Sequence, residues 1–256
     1  MKDRTDEKFN KYGREIRWIV NEKYKGRKEK LTKTDLSRLQ TGEPVGYIIG
    51  FADFLGCKID LTKRPLIPRP ETEFWVEKAI KEMNKSKTPK MCLDMFSGSG
   101  CVGILVLKNC PNVKMDFSDS EMAMIMQIKI NCKQNKVNNS KIRTIKSDIF
   151  ENIVDKYDYI FANPPYISEN KKSEVEKSVL DFEPNNALFG GSDGLLYIKK
   201  FLEQAEKHLN KGGKIYMEFG YNQKGDVSRI LKDNSFTQTQ FYKDQFGKWR
   251  YLVAII

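Results

Sequence analysis

From Lys90 to the end of this 256-residue chain, short apolar segments alternate with helical ones, and that alternation narrows the possible folds more than any other feature. Apolar, β-branched and aromatic runs at residues 90–95, 113–117, 142–146, 157–162 and 214–219 read as strands. Between them, residues 101–108, 120–135 and 193–209 carry helical spacing, the second of these helices opening at Ser120 as a cap with Glu121 next. Strand, crossover helix and strand make a βαβ unit, so the expected architecture is α/β with a largely parallel sheet and helices on both faces. A helix at 223–231 and strands at 237–242 and 249–255 close the chain, the last two joined by "KDQFGK" as an antiparallel hairpin.

Upstream, Phe9, Tyr12, Ile16, Ile19 and Val20 recur at helical spacing over residues 8–24, followed by a basic, solvated run at 23–33. A second helix is expected at 34–40, with Thr34 or Asp35 at its cap and Gly42 and Pro44 to stop it. Residues 47–61, with Gly50 and Gly56, read as a hairpin. "KRPLIPRPETE" then runs extended, because residues before proline avoid the α region, and a helix follows at 71–83. The expected division is a small helical domain at 1–45, a β-hairpin linker at 46–68 and the α/β domain at 69–256.

Hydrophobic residues at 39% and aromatics at 11% exclude a disordered chain. The balance of 45 Lys+Arg against 34 Asp+Glu, +11, points to an anionic partner such as RNA, DNA or an RNA-associated protein, although a lysine-rich surface is more often a solvated face. Five cysteines without a CxxC pair indicate reduced thiols. No run approaches 18 apolar residues, and "MKDRTDEKFN" has neither an apolar leader segment nor the acid-poor character of a transit peptide. The expected location is cytoplasmic, with no membrane partner.

Four strand ends carry the chemistry. "LDMFSGSGCVG" (93–103) is a glycine loop that is neither a Walker loop nor GxGxxG. Asp119, in "MDFSDSE", can accept from the two hydroxyls of a ribose, with Asp116 and Glu121 as nearby competitors. In "IKSDIF", Asp148 can accept from an adenine amino group while Ile149 covers the ring. These features describe an adenosyl pocket without a phosphate cradle, which points to S-adenosylmethionine rather than NAD or ATP. The next strand ends in "FANPPYI", where the Asn163 side chain and the Pro164 carbonyl offer two acceptors to a planar –NH2 group and Tyr166 can stack on its plane. The one histidine, His208, falls late in a helix and reads as structural.

"NPPY" after a D-x-x-x-G-S-G loop resembles the amino-methyltransferase branch of the S-adenosylmethionine-dependent enzymes. "TGEPVGYIIG" (41–50), "LIPRPETE" (66–73), "FEPNNALFGGSDG" (182–194) and "GGKIYMEFG" (212–220) narrow this to a resemblance, over residues 41–256, to the HemK/PrmC family of protein-(glutamine-N5) methyltransferases acting on peptide chain release factors. The resemblance implies a Rossmann-like, seven-stranded class I methyltransferase domain. It implies that Phe96, Ser97, Gly98, Ser99, Gly100, Asp119, Asp148, Ile149 and Asn163 hold S-adenosylmethionine (product S-adenosylhomocysteine), without a metal. It further implies that Asn163, Pro164, Pro165 and Tyr166 hold the glutamine of a release factor's GGQ motif, with Asn163 and Pro164 catalytic, in a monomer that needs no nucleic acid. Two departures stand out: Phe96 occupies a position usually glycine in the family, and the N-terminal helical domain is short. The competing expectations are an amino-methyltransferase acting on adenine N6 or guanine N2 of RNA or DNA, and a binding module without catalysis. Against the former, "LIPRPETE" does not usually accompany NPPY in the nucleic-acid branch, and 45 residues are few for a target-recognition module.

Overall fold

The computed structural model describes residues 12–234, 236 and 238–256. It begins with three helices, α1 (Gly13–Tyr24), α2 (Lys33–Gln40) and α3 (Val45–Ile49), sharing a small core of Ile16, Ile19, Val20, Leu39, Ile48 and Ile49. Residues 8–11 of the expected first helix, and residue 237 of the expected penultimate strand, lie outside the described residues. The cap of α2 is Thr32, not Thr34 or Asp35: Asp35 N–H donates to Thr32 Oγ1, and Thr32 N–H donates back to the Asp35 carboxylate, both at 3.1 Å. The basic run is also less free than expected, since Lys23 Nζ donates to buried Asp35 at 2.7 Å.

Residues 47–61 are not one hairpin. Tyr47 reaches the main core while Ile48 and Ile49 reach the small one, which suits a helical turn, and Gly50 ends α3 with φ 92°. The hairpin is confined to β1 (Phe51–Phe54) and β2 (Cys57–Asp60). Leu55 and Gly56 join them with φ of 47° and 80°, the left-handed pair that tight hairpin turns require.

In α4 (Pro70–Met83), proline takes the first helical position and Glu71 and Glu73 the first turn, after an extended Arg69. There follow β3 (Lys90–Met95), α5 (Cys101–Asn109), β4 (Val113–Asp119), α6 (Met122–Gln134), β5 (Ile142–Lys146) and β6 (Tyr157–Ala162). Ser120 does not cap α6; the chain enters through Glu121, whose N–H donates to the Asp119 carboxylate at 2.9 Å. Two short helices, α7 (Lys177–Phe182) and α8 (Asn185–Leu188), precede α9 (Leu196–Ala205), β7 (Leu209–Glu218), α10 (Lys224–Lys232), β8 (Gln238–Lys243) and β9 (Trp249–Ile255).

The seven-stranded sheet has the order β5-β4-β3-β6-β7-β9-β8. Its first five strands are parallel, and β9 runs antiparallel to both β7 and β8. Period-two alternation splits each strand between two cores. Tyr159, Phe161 and Tyr216 pack with Trp75 of α4, whereas Ile160, Ile215 and Met217 pack with Ile198, Phe201 and Leu202 of α9. The β1–β2 hairpin docks on α6 through amides four residues apart, hence on one helix face. Asn135 Nδ2 donates to the Lys58 carbonyl (2.8 Å), Asp60 N–H to Asn131 Oδ1 (2.7 Å) and Lys63 N–H to Gln127 Oε1 (2.8 Å). All five cysteines are buried free thiols.

Candidate active site

A cavity of about 480 Å³ opens at the carboxyl ends of β5, β4, β3 and β6, where the strand order reverses between β3 and β6. The sheet brings to it Phe96, Ser97, Gly98 and Ser99 after β3, Asp119 at the end of β4, Asp148 and Ile149 after β5, and Asn163 and Pro165 after β6. Gly100, Pro164 and Tyr166 are not part of this lining. Gly100 instead begins α5 in the left-handed conformation, with φ 77°. Pro164 is buried, and Tyr166 turns its hydroxyl to Glu218 Oε1 at 3.0 Å, so its ring is not at the cavity wall where stacking on a substrate was expected. His208 stacks on Phe150 at 4.3 Å, and burial lowers its pKa.

Hydrogen bonds fix the glycine loop. Ser97 N–H donates to the Ser118 carbonyl (3.0 Å), and Ser97 Oγ donates to the Asp94 carbonyl (2.5 Å) while accepting from Ser118 N–H (3.0 Å), which ties the loop to β4. Gly98 N–H donates to Asp119 Oδ2 at 2.8 Å, and with Glu121 N–H on Oδ1 the carboxylate is oriented while keeping lone pairs for a ligand. Burial raises the Asp119 pKa. Phe96 (φ 56°) and Ile149 (φ 47°) are held in the left-handed region, where a bulky or β-branched residue is strained. Phe96 thus keeps a glycine-like backbone, its ring held edge-on by Tyr197 and Phe201, with centroids at 6.2 and 6.1 Å.

Sequence reasoning missed four residues here. Asp94 lines the cavity at 3% exposure, accepts from Gly103 N–H at 2.9 Å and has no basic partner among the described residues; burial pushes its carboxyl up to about 8. Ser118 Oγ, also on the lining, is the one buried side-chain polar atom without a partner among the described residues. Thr72, inside the quoted "LIPRPETE", lines the cavity beside Asn163, and Glu218 stands behind it. The sequence signal was a lone acid within an apolar strand, "LDM" and "YMEF", since acids are rarely buried unless partnered.

Part of the remaining wall comes from Leu66, Ile67, Pro68 and Arg69 and from Pro184, Asn186 and Ala187. Buried Glu183 joins these segments, accepting from Ile67 N–H (3.0 Å) and Arg69 Nη2 (2.6 Å). "FGGSDG" braces the NPPY loop from behind. Gly194 has φ 78°, and a Cβ there would stand 2.4 Å from the Tyr166 carbonyl oxygen, so only glycine fits. Gln223 Nε2 donates to the same carbonyl at 2.9 Å.

The family described as the methyltransferase small domain matches residues 77–186. A release factor glutamine methyltransferase of Lactococcus lactis subsp. lactis is 35% identical over 234 residues, covering 91% of this chain and 84% of its own length. One from Streptococcus pneumoniae is 38% identical over 218 residues, covering 85% and 76% respectively. A solved structure of a methyltransferase from Pyrococcus furiosus superposes with a TM-score of 0.57 at 17% identity, covering 88% of this chain and 98% of that one, and shares the fold.

Proposed function

The chain belongs to the release factor glutamine methyltransferase family, and on that premise we propose that it methylates the side-chain amide nitrogen (N5) of the glutamine in the GGQ motif of a peptide chain release factor, with S-adenosylmethionine as methyl donor. One observation carries this: a single cavity is lined both by the loops that suit an adenosyl group and by Asn163, the residue suited to an amide. Its volume lies within the usual range of small-molecule sites, roughly 300–1,000 Å³. An uncompensated buried acid at Asp94 and an unpartnered hydroxyl at Ser118 suit a ligand that brings a cation and hydrogen-bonding groups. When bound, S-adenosylmethionine supplies a methyl group activated by its sulfonium.

The protein's task is to hold and orient. On this reading Asp119 accepts from the ribose hydroxyls, Asp148 from the adenine amino group, and Ile149 covers the ring. Asp94 faces a cationic part of the same molecule. A carboxamide nitrogen is a poor nucleophile because its lone pair is delocalised into the carbonyl. Asn163 Oδ1 accepts one of its hydrogens, polarises that N–H bond and fixes its direction, whereas the second acceptor expected at Pro164 lies off the cavity lining; such orientation is worth about 7–11 kcal/mol in favourable cases. Dipoles already aimed at the positive charge developing on nitrogen add to this.

The test is methyl transfer from labelled S-adenosylmethionine to purified release factor, compared with tRNA, rRNA and DNA. Label on the GGQ glutamine is expected; label confined to nucleic acid overturns the proposal. Asn163→Ala should abolish turnover while leaving S-adenosylhomocysteine binding, measured by calorimetry, within about threefold, a difference of under 1 kcal/mol.

A further inference from the structure

We propose that Thr72, held by Glu218, is a positioning residue that decides which end of the Asn163 amide faces the substrate, an inference that rests on the function proposed above. Glu218 ends β7 at 1% exposure. Its Oε2 accepts from Thr72 Oγ1 at 2.7 Å and from Trp75 Nε1 at 2.8 Å, and its Oε1 accepts from the Tyr166 hydroxyl at 3.0 Å. Behind Tyr166 stands Arg250, which donates to that hydroxyl at 3.4 Å and to Asp244 at 3.1 Å.

Burial raises the Glu218 pKa, while the bonds from Trp75, Thr72 and Tyr166 and the Arg250 charge oppose that rise and favour the carboxylate. Its Oε2 already accepts from the Trp75 N–H, which can only donate, and as an acceptor it also takes the single proton of the Thr72 hydroxyl. Thr72 Oγ1 therefore has only lone pairs left for its other neighbour, Asn163, whose Nδ2 lies 3.5 Å away. With the amide turned over, Asn163 Oδ1 would meet those lone pairs with no proton between them. Polarity thus runs in one direction: Thr72 donates to Glu218, Asn163 donates to Thr72, and Asn163 Oδ1 is left for the cavity. The substrate –NH2 carries two donors, and an Asn163 presenting its own –NH2 would repel it. At 3.5 Å the contact is at the long limit of a hydrogen bond, so its contribution is one of polarity more than of strength. This gives a physical role to the threonine of "LIPRPETE" and the glutamate of "YMEFG", neither of which the sequence assigned to the site.

The test compares Thr72→Val with Thr72→Ser. Loss of one net hydrogen bond in the valine variant should lower kcat about tenfold. The affinity for S-adenosylhomocysteine should stay within about twofold, and serine, which keeps the hydroxyl, should restore kcat to within about twofold of wild type. Independently of activity, NMR of the wild-type protein should show Overhauser contacts from the Asn163 Nδ2 protons to the Thr72 methyl group. Full kcat in the valine variant, equal damage from serine and valine, or absence of those contacts overturns the inference. A wild-type enzyme that methylates no release factor refutes the proposed function instead, and the NMR contact still reports on the amide.

Discussion

Replacing Asp94 by Asn should stabilise the unloaded protein and weaken its hold on the cofactor, and the first effect should grow with pH. Asparagine keeps the shape, and its side-chain oxygen can still accept from Gly103 N–H at 2.9 Å, the hydrogen bond the Asp94 carboxyl makes among the described residues. Folding carries the Asp94 carboxyl from 3.8 to about 8; burial is the main cause, the Gly103 bond opposes it and the Asp119 charge adds to it. Because the folded pKa is raised, the contribution of this group is fully present below 3.8 and is lost as pH rises through about 8. Near neutrality the gap is about three pH units at 1.36 kcal/mol each, an upper limit on the order of 4 kcal/mol. Water in the cavity raises the effective dielectric and brings the expected gain to about 2 kcal/mol.

Urea denaturation of both proteins without ligand, from about pH 5 to about pH 8, measures this directly. The variant should exceed wild type modestly at the acid end, where about one pH unit of the gap is already open, and increasingly towards the alkaline end. Calorimetry at the alkaline end should show weaker S-adenosylhomocysteine binding by the variant, because the charge that faces a cation is gone. A gain that does not change with pH, or a variant less stable throughout, refutes the assignment of Asp94 as an uncompensated buried acid.

Two further substitutions test the loops. Phe96→Gly and Phe96→Ala both lose the ring contacts with Tyr197 and Phe201, but at φ 56° only glycine is unstrained. The glycine variant should therefore be the more stable by about 1 kcal/mol in denaturant, the reverse of their order in a helix. Gly194→Ala forces a Cβ against the Tyr166 carbonyl at 2.4 Å. It should lower the melting temperature and cut methylation far more than cofactor affinity, since the displaced backbone is that of the NPPY loop; equal loss of both would contradict the bracing role.

Strands β3, β6 and β9 begin and end where the sequence pattern puts them, because interior strands of a sheet covered on both faces are largely apolar runs; β5 does so too, although it is a half-buried edge strand. The same apolar texture misled at Tyr47, Ile48 and Ile49: a run that short has no period to separate helix from strand, and its three side chains serve two cores at once. Thr32 was passed over as a cap because the capping signal is a reciprocal bond, which one-letter spacing shows only after the helix start is known. The short helices at 177–188 are held by neighbours and have no periodicity of their own. Of the expected site, residues 96–99, Asp119, Asp148, Ile149, Asn163 and Pro165 line the cavity and Gly100 and Pro164 do not; what spacing could not reveal is that Tyr166 turns its hydroxyl to Glu218.

The quoted motifs turn out to be joined by three buried glutamates, each bridging segments that meet only in the fold. Glu43 of "TGEP" accepts from Arg38 at 2.7 and 2.8 Å and from Arg64 at 2.9 Å, tying the helical appendage to the approach of "LIPRPETE". Glu183 ties that stretch to "FEPNN", and Glu218 ties it to the NPPY loop through Thr72 and Tyr166. Apolar packing aligns helices and strands but is non-directional and cannot tell an amide oxygen from an amide nitrogen. Choosing between them needs donors and acceptors of fixed polarity, and a buried carboxylate is the strongest such reference because it can only accept. Removing one partner from such a group leaves a buried charge that costs about 3–5 kcal/mol, so the three glutamates also penalise any arrangement in which the cavity walls separate. The orientation needed at one asparagine is thereby secured by residues more than fifty positions away in either direction along the chain, from Thr72 before it to Glu218 after it.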